Sequence, residues 1–528
     1  MRNSKVQVLA AVVAGVAALP SVAFGYGVEI PENGATAFGR GGAFVARASD
    51  PSAVMHNVAG IMGLPGLQLT LSSNVGYFSH CFQRTSNGGF YEQAGGSTNA
   101  SIDVTGTVFE NPANPGDAPY LNGMTRYPEV CKESSVALAP LLLGTYRINR
   151  WVAIGFGVFA PSTQGSGQHF SDRTTANGSL VPSPARNLLF DKDLLVLHPV
   201  VAVAVQPLRW LRVGLGIEPS IANFRFGLNA NGNRGSAQSP STDVHIGLDA
   251  TAFFLAGSAS VQVLPTRFLS FGVNFHYNGP IDASGQATNV ANPYARAANQ
   301  MVTSNFTIDH MRVNLPWTLR AGVRYNLPRA GQPTQDDGSG NYDPMRDDVF
   351  DVEATFTFER TSMLSRTELE NTGNIMLPAG GMVAAPRTIA IESALSDVYG
   401  FRLGGDWNVL PGRLALRLGF SYETAGVSPN LAQIHLPAYA GASVHAGASY
   451  RWRWLTITAG FGHFFFQDND AAGGRRAITV PADAMGNQIS LDSCPERGTG
   501  QGNEACTINQ GVYRAAFTAG SLQFTAAF

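Results

Sequence analysis

Arginines and carboxylates share the polar side of several alternating segments in the second half of the chain. The arginines are Arg320, Arg324, Arg402, Arg413 and Arg417, and the acids are Asp351, Glu353 and Asp406. An arginine facing a ligand path could hold the carboxylate of an acidic solute. The same side chain could instead be a structural charge paired with one of these acids. We take Arg320, Arg324, Arg402 and Arg417 as ligand-path candidates.

Two histidines, His276 and His445, fall on the same polar side. A hydrolytic enzyme would need a nucleophile and an orienting acid beside such a histidine. No nucleophile motif accompanies either one. The chain is therefore predicted not to be an enzyme, and no catalytic residue, cofactor or metal site is assigned.

The chain has four cysteines: Cys81, Cys131, Cys494 and Cys506. An even number in an exported protein favours disulfides. Of three possible pairings, Cys81–Cys131 and Cys494–Cys506 are the economical ones, since each pair flanks or shares one loop-like segment. Free thiols are the alternative. Metal binding is disfavoured because no CxxC motif or histidine pair lies nearby.

Alternation with a period of two residues dominates the chain after residue 66. In one example, Leu269, Phe271, Val273, Phe275 and Tyr277 lie opposite Ser270, Gly272, Asn274 and His276. This period indicates β-strands. Fourteen strands are predicted: 66–79, 135–148, 151–161, 193–206, 211–226, 244–263, 267–278, 311–326, 348–360, 397–409, 413–424, 441–451, 454–466 and 512–528.

The composition favours a membrane barrel over a soluble β-sandwich. Charged residues are only 14% of the chain, glycines number 59, and the net charge of −2 gives no indication of nucleic-acid binding. Mean hydropathy is +0.00. Aromatic residues such as Trp151, Trp210, Trp317 and Trp407 collect at strand ends, as in the girdles of membrane barrels, whereas a sandwich would bury them mid-strand. The prediction is an all-β, 14-stranded antiparallel transmembrane β-barrel.

The connections between the predicted strands alternate between short and long. This alternation is typical of outer-membrane barrels, with long loops outside and short turns in the periplasm. One connection, Pro328 to Asp347, should be short but has some twenty residues. Its acidic, Gly- and Pro-rich composition predicts a disordered periplasmic insertion, or else a miscounted pair of strands.

The N-terminal region lacks strand alternation. Residues 1–23 have the positive end, apolar stretch and small-residue cleavage site of a secretory signal peptide. Residues 24–65 are predicted to plug the lumen of a barrel formed by 66–528. Within them, Gly39–Gly63 is rich in small residues and has a helix start at Ser49 or Asp50, followed by Pro51. A plain N-terminal loop is the alternative.

Three stretches resemble the FadL-like family of long-chain fatty acid and aromatic hydrocarbon transporters of the outer membrane. The first, GYGVEIPENGATAFGRGGAFVARASDPSAVMHNVAG, matches the family's D-x-S-x-x-x-x-N-P-A pattern at Asp50, Ser52, Asn57 and Ala59, with Val58 in place of proline. The others are LSDVYGFRLGGDWNVLPGRLALRLGFSYETAGVSP and LPAYAGASVHAGASYRWRWLTITAGFGHFF. The chain also ends SLQFTAAF, whose terminal Phe528 resembles the signal of the barrel assembly machinery.

This resemblance implies passive uptake of hydrophobic molecules, either long-chain fatty acids or hydrocarbons, by a monomer among outer-membrane lipid and lipopolysaccharide. A small hatch of short helices inside fourteen strands is implied as well. Tyr26, Met55 and Asn57 become ligand-path candidates, although Tyr26 could belong to a disordered end. Pro161, at the end of the third strand, is the candidate for a strand kink with a lateral opening, and an ordinary strand end is its alternative. A general or selective porin is the second functional reading.

Overall fold

A computed structural model gives the fold. It describes residues 29–30, 33–84, 129–132, 136–160, 188–231, 243–291, 302–335, 341–376, 395–429, 438–471 and 511–528, together with short stretches between them. Residues 1–23, which the sequence predicts to be a signal peptide, lie outside the described residues, as do Tyr26, Pro161, Cys494 and Cys506.

Fourteen antiparallel strands close into a barrel, which confirms the predicted fold class. Each wall strand pairs with the next one along the chain. In chain order, β1 to β14 are Leu67–Arg84, Val136–Arg147, Val152–Phe159, Leu189–Leu208, Leu211–Asn231, Asp243–Val263, Leu269–Asn278, Thr318–Pro328, Asp348–Glu359, Val398–Leu410, Leu414–Glu423, Gly441–Trp452, Leu455–Phe466 and Gly511–Ala527.

The last strand closes the wall against the first. β14 pairs with β1 from Gln68↔Ala527 to Arg84↔Gly511. Phe528 continues this contact, since its N–H donates to the Leu67 carbonyl at 2.9 Å, and its ring stacks on Trp454 with centroids 5.9 Å apart. A closed wall leaves no unpaired sheet edge, which a strand structure in hydrocarbon requires.

Alternation puts apolar side chains on the outer face of the wall. Phe253 is 79% exposed, whereas its neighbour Phe254 points inward and is 7% exposed. Aromatic side chains are exposed at the rim of short turns, namely Tyr146, Trp151, Trp210, Trp407, Tyr450, Trp452 and Trp454. An apolar outer band with an aromatic rim is the surface that a bilayer solvates.

Two connections predicted as loops, 279–310 and 361–396, contain strands, so the loop prediction is wrong there. These extension strands are Ile281–Ala291, Val302–Val313, Arg366–Met376, Met382–Ala384 and Thr388–Glu392. They continue the sheet beyond the wall at the rim of long connections, beginning with pairing of Ile281–Ala291 to β6. The predicted strand 311–326 accordingly splits, and β8 begins only at Thr318.

The remaining elements are short. The strand pairs Glu29–Ile30 with Ser162–Thr163 and Arg173–Thr174 with Leu180–Val181 form two small sheets, while Gln168–His169 and Asn469–Asp470 pair with wall strands. A 3₁₀ helix spans Thr361–Ser365. A disulfide joins Cys81 to Cys131 in Val130–Cys131, which confirms that predicted bridge.

The long connection between β8 and β9 is ordered where the structure describes it, so the predicted disorder is wrong there. It contains a one-turn helix, Pro344–Asp347, that begins after Asp343, whose carboxylate accepts a hydrogen bond from the Met345 N–H at 3.1 Å. The Asn408 side chain holds this helix to the wall by donating to the Pro344 carbonyl at 2.7 Å. We call residues 329–347 the mouth insertion.

Three short helical elements precede the wall. They are the α-helices α1, Ala35–Phe38, and α2, Ala53–His56, and a 3₁₀ helix, Val58–Gly63. All residues from 33 to 64 are buried except Ser49, Met55 and Gly63, which are partly exposed. Helix α1 contacts β12, β13, β14 and β1, whereas the 3₁₀ helix contacts β2 to β6. We call residues 33–64 the luminal segment, because the wall surrounds them. No helix among the described residues is long and apolar enough to cross a membrane.

Candidate functional site

The luminal segment lies against glycines on the inner face of the wall. A Cβ added at Gly404 or Gly419 would overlap the backbone of Arg40, and one at Gly272 would overlap the carbonyl of Val45. A Cβ at Gly214 would overlap the backbone of Ala59 in the same way, at 2.4 Å from its nitrogen. Glycine is the residue that allows two backbones to approach this closely. The inner face of the wall is therefore shaped to hold a segment of chain.

Replacing Gly419 by alanine is expected to unseat part of the luminal segment, because the new methyl group overlaps Arg40. Overpacking of this kind costs about 1–3 kcal/mol. The measurement is the midpoint of the heat-induced mobility shift of the barrel, together with its ion conductance in a planar bilayer. Gly247→Ala is the matched control, since the nearest atom to a Cβ there is His245 Nε2 at 3.9 Å. Equal midpoints and conductances for the two variants would contradict the close seating.

A buried network of charges joins the luminal segment to the wall. Arg40 Nη1 lies 2.8 Å from Asp351 Oδ1 and 2.5 Å from Asp406 Oδ1. Arg47 Nη1 contacts Asp351 as well and lies 3.0 Å from Asp406 Oδ2. On the wall itself, Arg417 Nε lies 2.9 Å from Asp406 Oδ2. All these side chains are at most 4% exposed.

Glu353 completes the attachment through backbone groups. Its two carboxylate oxygens accept hydrogen bonds from the N–H groups of Ala46 and Arg47, each at 2.9 Å. A buried carboxylate that accepts several hydrogen bonds and faces arginines avoids most of the desolvation cost of an isolated charge. The acids on β9 and β10 are thus the wall's anchor for the luminal segment.

Arg324 links this network to the mouth insertion. Its Nη2 lies 2.6 Å from Asp348 Oδ2 and 3.2 Å from Asp351 Oδ2. The same guanidinium donates to the Gln335 side chain and to the Tyr342 hydroxyl, both at 3.1 Å. Burial raises the pKa of Tyr342 well above its ordinary value, so its hydroxyl remains a donor to Asp348 at 2.5 Å.

A cavity of about 440 Å³ lies between the luminal segment and the mouth insertion. Arg47 and Asp50 line it from the luminal segment, and Tyr342 and Met345 from the insertion. The lining is rich in arginine, with Arg47, Arg212, Arg324, Arg346, Arg417, Arg451 and Arg453. This cavity is therefore an arginine-rich vestibule at the rim of short turns.

The predicted ligand-path arginines divide into two groups. Arg324 and Arg417 belong to the ionic network. This fits the alternative that they are structural charges paired with acids. Arg402 contacts Glu423 and donates to Thr357 Oγ1 at 2.7 Å. Arg320 is partly buried and shares with Arg402 the lining of a small space. Both lie near His56, whose pKa burial and the charge of Arg320 lower to about 4, so that His56 is neutral at pH 7.

Asn57 and Met55 lie in the luminal segment. Asn57 caps the 3₁₀ helix by accepting from the Ala59 N–H at 3.1 Å, and its Nδ2 donates to the Val45 carbonyl at 2.7 Å. This use of its polar atoms indicates a structural role. Met55 is partly buried against the apolar cluster that the luminal segment forms with β2, β3 and β4. Their assignment to a ligand path stays a prediction.

Buried apolar side chains line the inner face of the wall toward the rim of long connections. We call them the upper apolar cluster. It draws on β4, β5, β6 and the extension strands, and includes Leu194, Val196, Phe224, Ala250, Phe254, Ile281, Phe306, Ile308, Met311 and Leu369. Barrel interiors that hold water are polar. These side chains are packed together at 8% exposure or less, so this part of the lumen has an apolar filling, which suits contact with an apolar solute.

The strand pairing of the wall changes beside this cluster, because β3 ends there. The Ala160 N–H donates to the Pro140 carbonyl at 3.1 Å, and the Ala160 carbonyl accepts from Asn33 Nδ2 at 2.6 Å. Two residues later, Ser162–Thr163 pairs with Glu29–Ile30. On β4, pairing with β3 begins at His198, and residues 193–197 have no partner on that side among the described residues. The described wall pairing of β3 therefore ends at Phe159, two residues before Pro161 in the sequence.

No known protein-family profile and no curated protein matches this sequence. Solved structures match nearly its full length. A crystal structure of a Pseudomonas aeruginosa FadL homologue matches with 13% identity and a TM-score of 0.65, covering 95% of this chain and 100% of that one. The chain has a FadL-like fold.

Two further structures share the FadL-like fold. The Pseudomonas putida toluene transporter TodX has 13% identity and a TM-score of 0.57, with 96% of this chain and 99% of TodX covered. The Ralstonia pickettii toluene transporter TbuX has 14% identity and a TM-score of 0.51, with 94% and 99% covered. The resemblance found in the sequence is confirmed at the level of fold.

Arg40 and Arg47, which dominate the ionic network, were not among the predicted site residues. The signal available in the sequence was an arginine inside a glycine-rich, otherwise apolar run, together with acids on the polar face of β9 and β10. The upper apolar cluster was also missed, since no residue of β4, β5 or β6 was among the predicted site residues.

Proposed function

We propose that the chain mediates passive uptake of hydrophobic small molecules across the bacterial outer membrane through a plugged barrel. The observation that supports this proposal is that an apolar cluster and a buried segment of chain lie one above the other in the same lumen. The upper apolar cluster offers a binding surface toward the long connections, and the buried luminal segment fills the space beneath it. A solute would bind to the cluster and pass when the luminal segment or the adjacent wall moves.

The substrate class follows from the lining and from the related folds. Neighbours with the FadL-like fold are described as toluene transporters and as a FadL homologue. An apolar lining without a dominant head-group site suits hydrocarbons and the chains of long-chain fatty acids alike. Arg320 and Arg402, near the luminal segment, are the candidates that could hold a fatty acid carboxylate.

Two routes of release are open to a solute that has passed the cluster. The end of β3 at Phe159 and Ala160, beside Pro161, offers a lateral exit into the membrane. The arginine-rich vestibule offers a polar exit behind the luminal segment. An apolar solute is stabilised by lipid rather than by guanidinium groups, so the lateral route fits a hydrocarbon better.

The cellular setting is part of the same proposal. Residues 1–23 would direct export, residues 24–65 would act as the plug, and 66–528 as the barrel. Phe528 bonds to Leu67 through its backbone and stacks on Trp454. It would be the terminal residue that the barrel assembly machinery recognises. The protein would act as a monomer surrounded by lipid and lipopolysaccharide, with its long connections outside.

The main competitor is a general porin, which requires a water-filled lumen. The buried luminal segment and its ionic anchors argue against that function. An outer-membrane enzyme is the weaker competitor. Ser443 Oγ lies 2.6 Å from His445 Nε2, but both residues are buried, and the ring of Phe38 packs against His445 with centroids 4.9 Å apart. A substrate could not reach this pair without displacing α1.

Replacing Phe254 by alanine is expected to lower the uptake of a labelled hydrophobic solute at low concentration. A buried phenylalanine contributes about 1.5–3 kcal/mol of apolar contact, so uptake should fall about tenfold or more. Phe253→Ala is the matched control, because that ring is the next residue on β6 and faces outward. Uptake should be measured in cells lacking their own hydrophobic-uptake barrels. Equal uptake by the two variants would overturn the role of the upper apolar cluster.

A further inference from the structure

Three polar side chains converge on the inner face of the wall, just beneath the upper apolar cluster. They come from three strands: His198 on β4, Glu218 on β5 and His276 on β7. His276 Nε2 lies 2.9 Å from Glu218 Oε2, and His198 Nδ1 lies 3.4 Å from the same oxygen. One ligand atom from each residue lies within 4.8 Å of the others. We propose that these residues form a binding site for a divalent transition-metal ion.

The donor set has the right chemistry for such an ion. Two imidazoles and one carboxylate are a common set of protein ligands for zinc and for related first-row metals. Bonds of about 2.0–2.2 Å to a tetrahedral ion place neighbouring ligand atoms roughly 3.3–3.6 Å apart. The separation of 3.4 Å between His198 Nδ1 and Glu218 Oε2 falls in that range, and the hydrogen-bond distance of 2.9 Å between His276 Nε2 and the same oxygen is shorter than it. Side-chain rotations that release His198 Nδ1 from Ser220 Oγ, which lies 2.7 Å away, would bring the three ligands onto one ion.

The environment of Glu218 is a second, independent indication that a cation binds here. Its side chain is 1% exposed, and its Oε1 has no hydrogen-bond partner among the described residues. Its ion-pair partners in the described part of the chain are the two imidazoles. By contrast, the buried acids of β9 and β10 contact guanidinium groups. A buried carboxylate with no permanent cation beside it is costly unless positive charge is supplied.

The local sequence fixes two of the three ligands. His198 precedes Pro199, and Glu218 precedes Pro219. A residue before proline is restricted to extended backbone, which limits the directions its side chain can take. The ladder between β4 and β5 is interrupted here, between Leu197↔Ile221 and Val201↔Ile217. The two prolines cannot donate to a ladder, so the backbone pairing is interrupted beside both ligands.

Aromatic rings shield the cluster, and one side stays open to the lumen. His198 stacks on Phe159 with centroids 5.0 Å apart and meets Phe254 edge-on at 6.0 Å. His276 is the most accessible ligand, with a side chain 15% exposed. Three protein ligands with one open side resemble metal sites that bind a fourth, exchangeable ligand. The ion would tie β4, β5 and β7 together beside the end of β3.

The test uses the purified full chain in detergent, with an affinity tag that contains no histidine. Titration with Co²⁺ is expected to give the visible absorption of a tetrahedral histidine-coordinated ion at one ion per chain, and Zn²⁺ should displace it. Glu218→Gln and His276→Asn should each weaken Co²⁺ binding by about 100-fold or more, since even outer-shell changes cost 10–100-fold. His463→Asn is the control, because that strand histidine bonds Thr518 at 2.7 Å, away from the cluster.

The proposal is overturned if the wild-type chain binds no Co²⁺, or if binding survives Glu218→Gln and His276→Asn unchanged. Heat-induced mobility shifts must show that the variants form closed barrels. If a variant does not, X-ray absorption at the zinc edge of the wild-type complex decides instead. Two imidazoles per ion support the site, and fewer overturn it. Neither readout depends on solute uptake.

Discussion

Deleting residues 39–63, with a short Gly-Ser linker between Phe38 and Leu64, is expected to turn a nearly non-conducting barrel into a steady pore. The deletion removes Arg40, Arg47, α2 and the 3₁₀ helix that contacts β2 to β6. Water would replace them and would solvate the acids of β9 and β10. Single-channel conductance in a planar bilayer should rise by roughly tenfold or more, as expected for an unfilled wide barrel.

The deletion is informative only if the wall still closes. A retained heat-induced mobility shift shows closure, because the β1–β14 pairing and the outer apolar face do not depend on residues 39–63. Gly247→Ala in the full chain provides the unaltered baseline. Unchanged conductance in a closed deletion variant would mean that the luminal segment does not block the lumen.

Replacing Arg40 by methionine is expected to cause the largest loss of stability among single substitutions. Arg40 contacts Asp351 and Asp406 and also donates through Nε to the Ala43 carbonyl at 2.7 Å. Removing one partner from a buried ionic cluster leaves uncompensated charge and costs about 3–5 kcal/mol. Arg40→Lys should recover only part of this loss, because an ammonium cannot reproduce the fork of a guanidinium.

The loss should appear in urea unfolding in lipid vesicles and as leakage current through a loosened luminal segment. Arg225→Met is the matched control. Its guanidinium lies 2.8 Å from Asp249 but is 60% exposed, and exposed pairs contribute about 1 kcal/mol or less. Equal effects of Arg40→Met and Arg225→Met would show that the network does not anchor the luminal segment.

The wall was predictable because membrane barrels impose a simple rule on sequence. β7 reads as strict alternation from Leu269 to Tyr277, and lipid on one side with lumen on the other keeps that alternation clean. The extension strands were not predicted, because this rule does not apply to them. Ile281–Ala291, IDASGQATNVA, rises above the bilayer, where neither face must be apolar over its full length, so it resembles a loop.

Contacts between distant parts of the chain were the least predictable. The mouth insertion looked disordered by composition, yet Tyr342 and Gln335 are held by Arg324, and Asp343 contacts Arg451. The pairing of Arg417 with Asp406 could be anticipated from alternation on adjacent strands. The metal-ligand cluster could not, because His198, Glu218 and His276 are separated by long spacings that only the strand register brings together.

One measurement tests the central claim most directly. The wild-type chain should be expressed in cells lacking their own hydrophobic-uptake barrels, and the entry of a labelled long-chain fatty acid, toluene and a small disaccharide should be compared. We expect faster entry of at least one of the two apolar solutes, with disaccharide entry unchanged from empty-vector cells. Faster disaccharide entry without faster entry of either apolar solute would contradict it and would favour a porin.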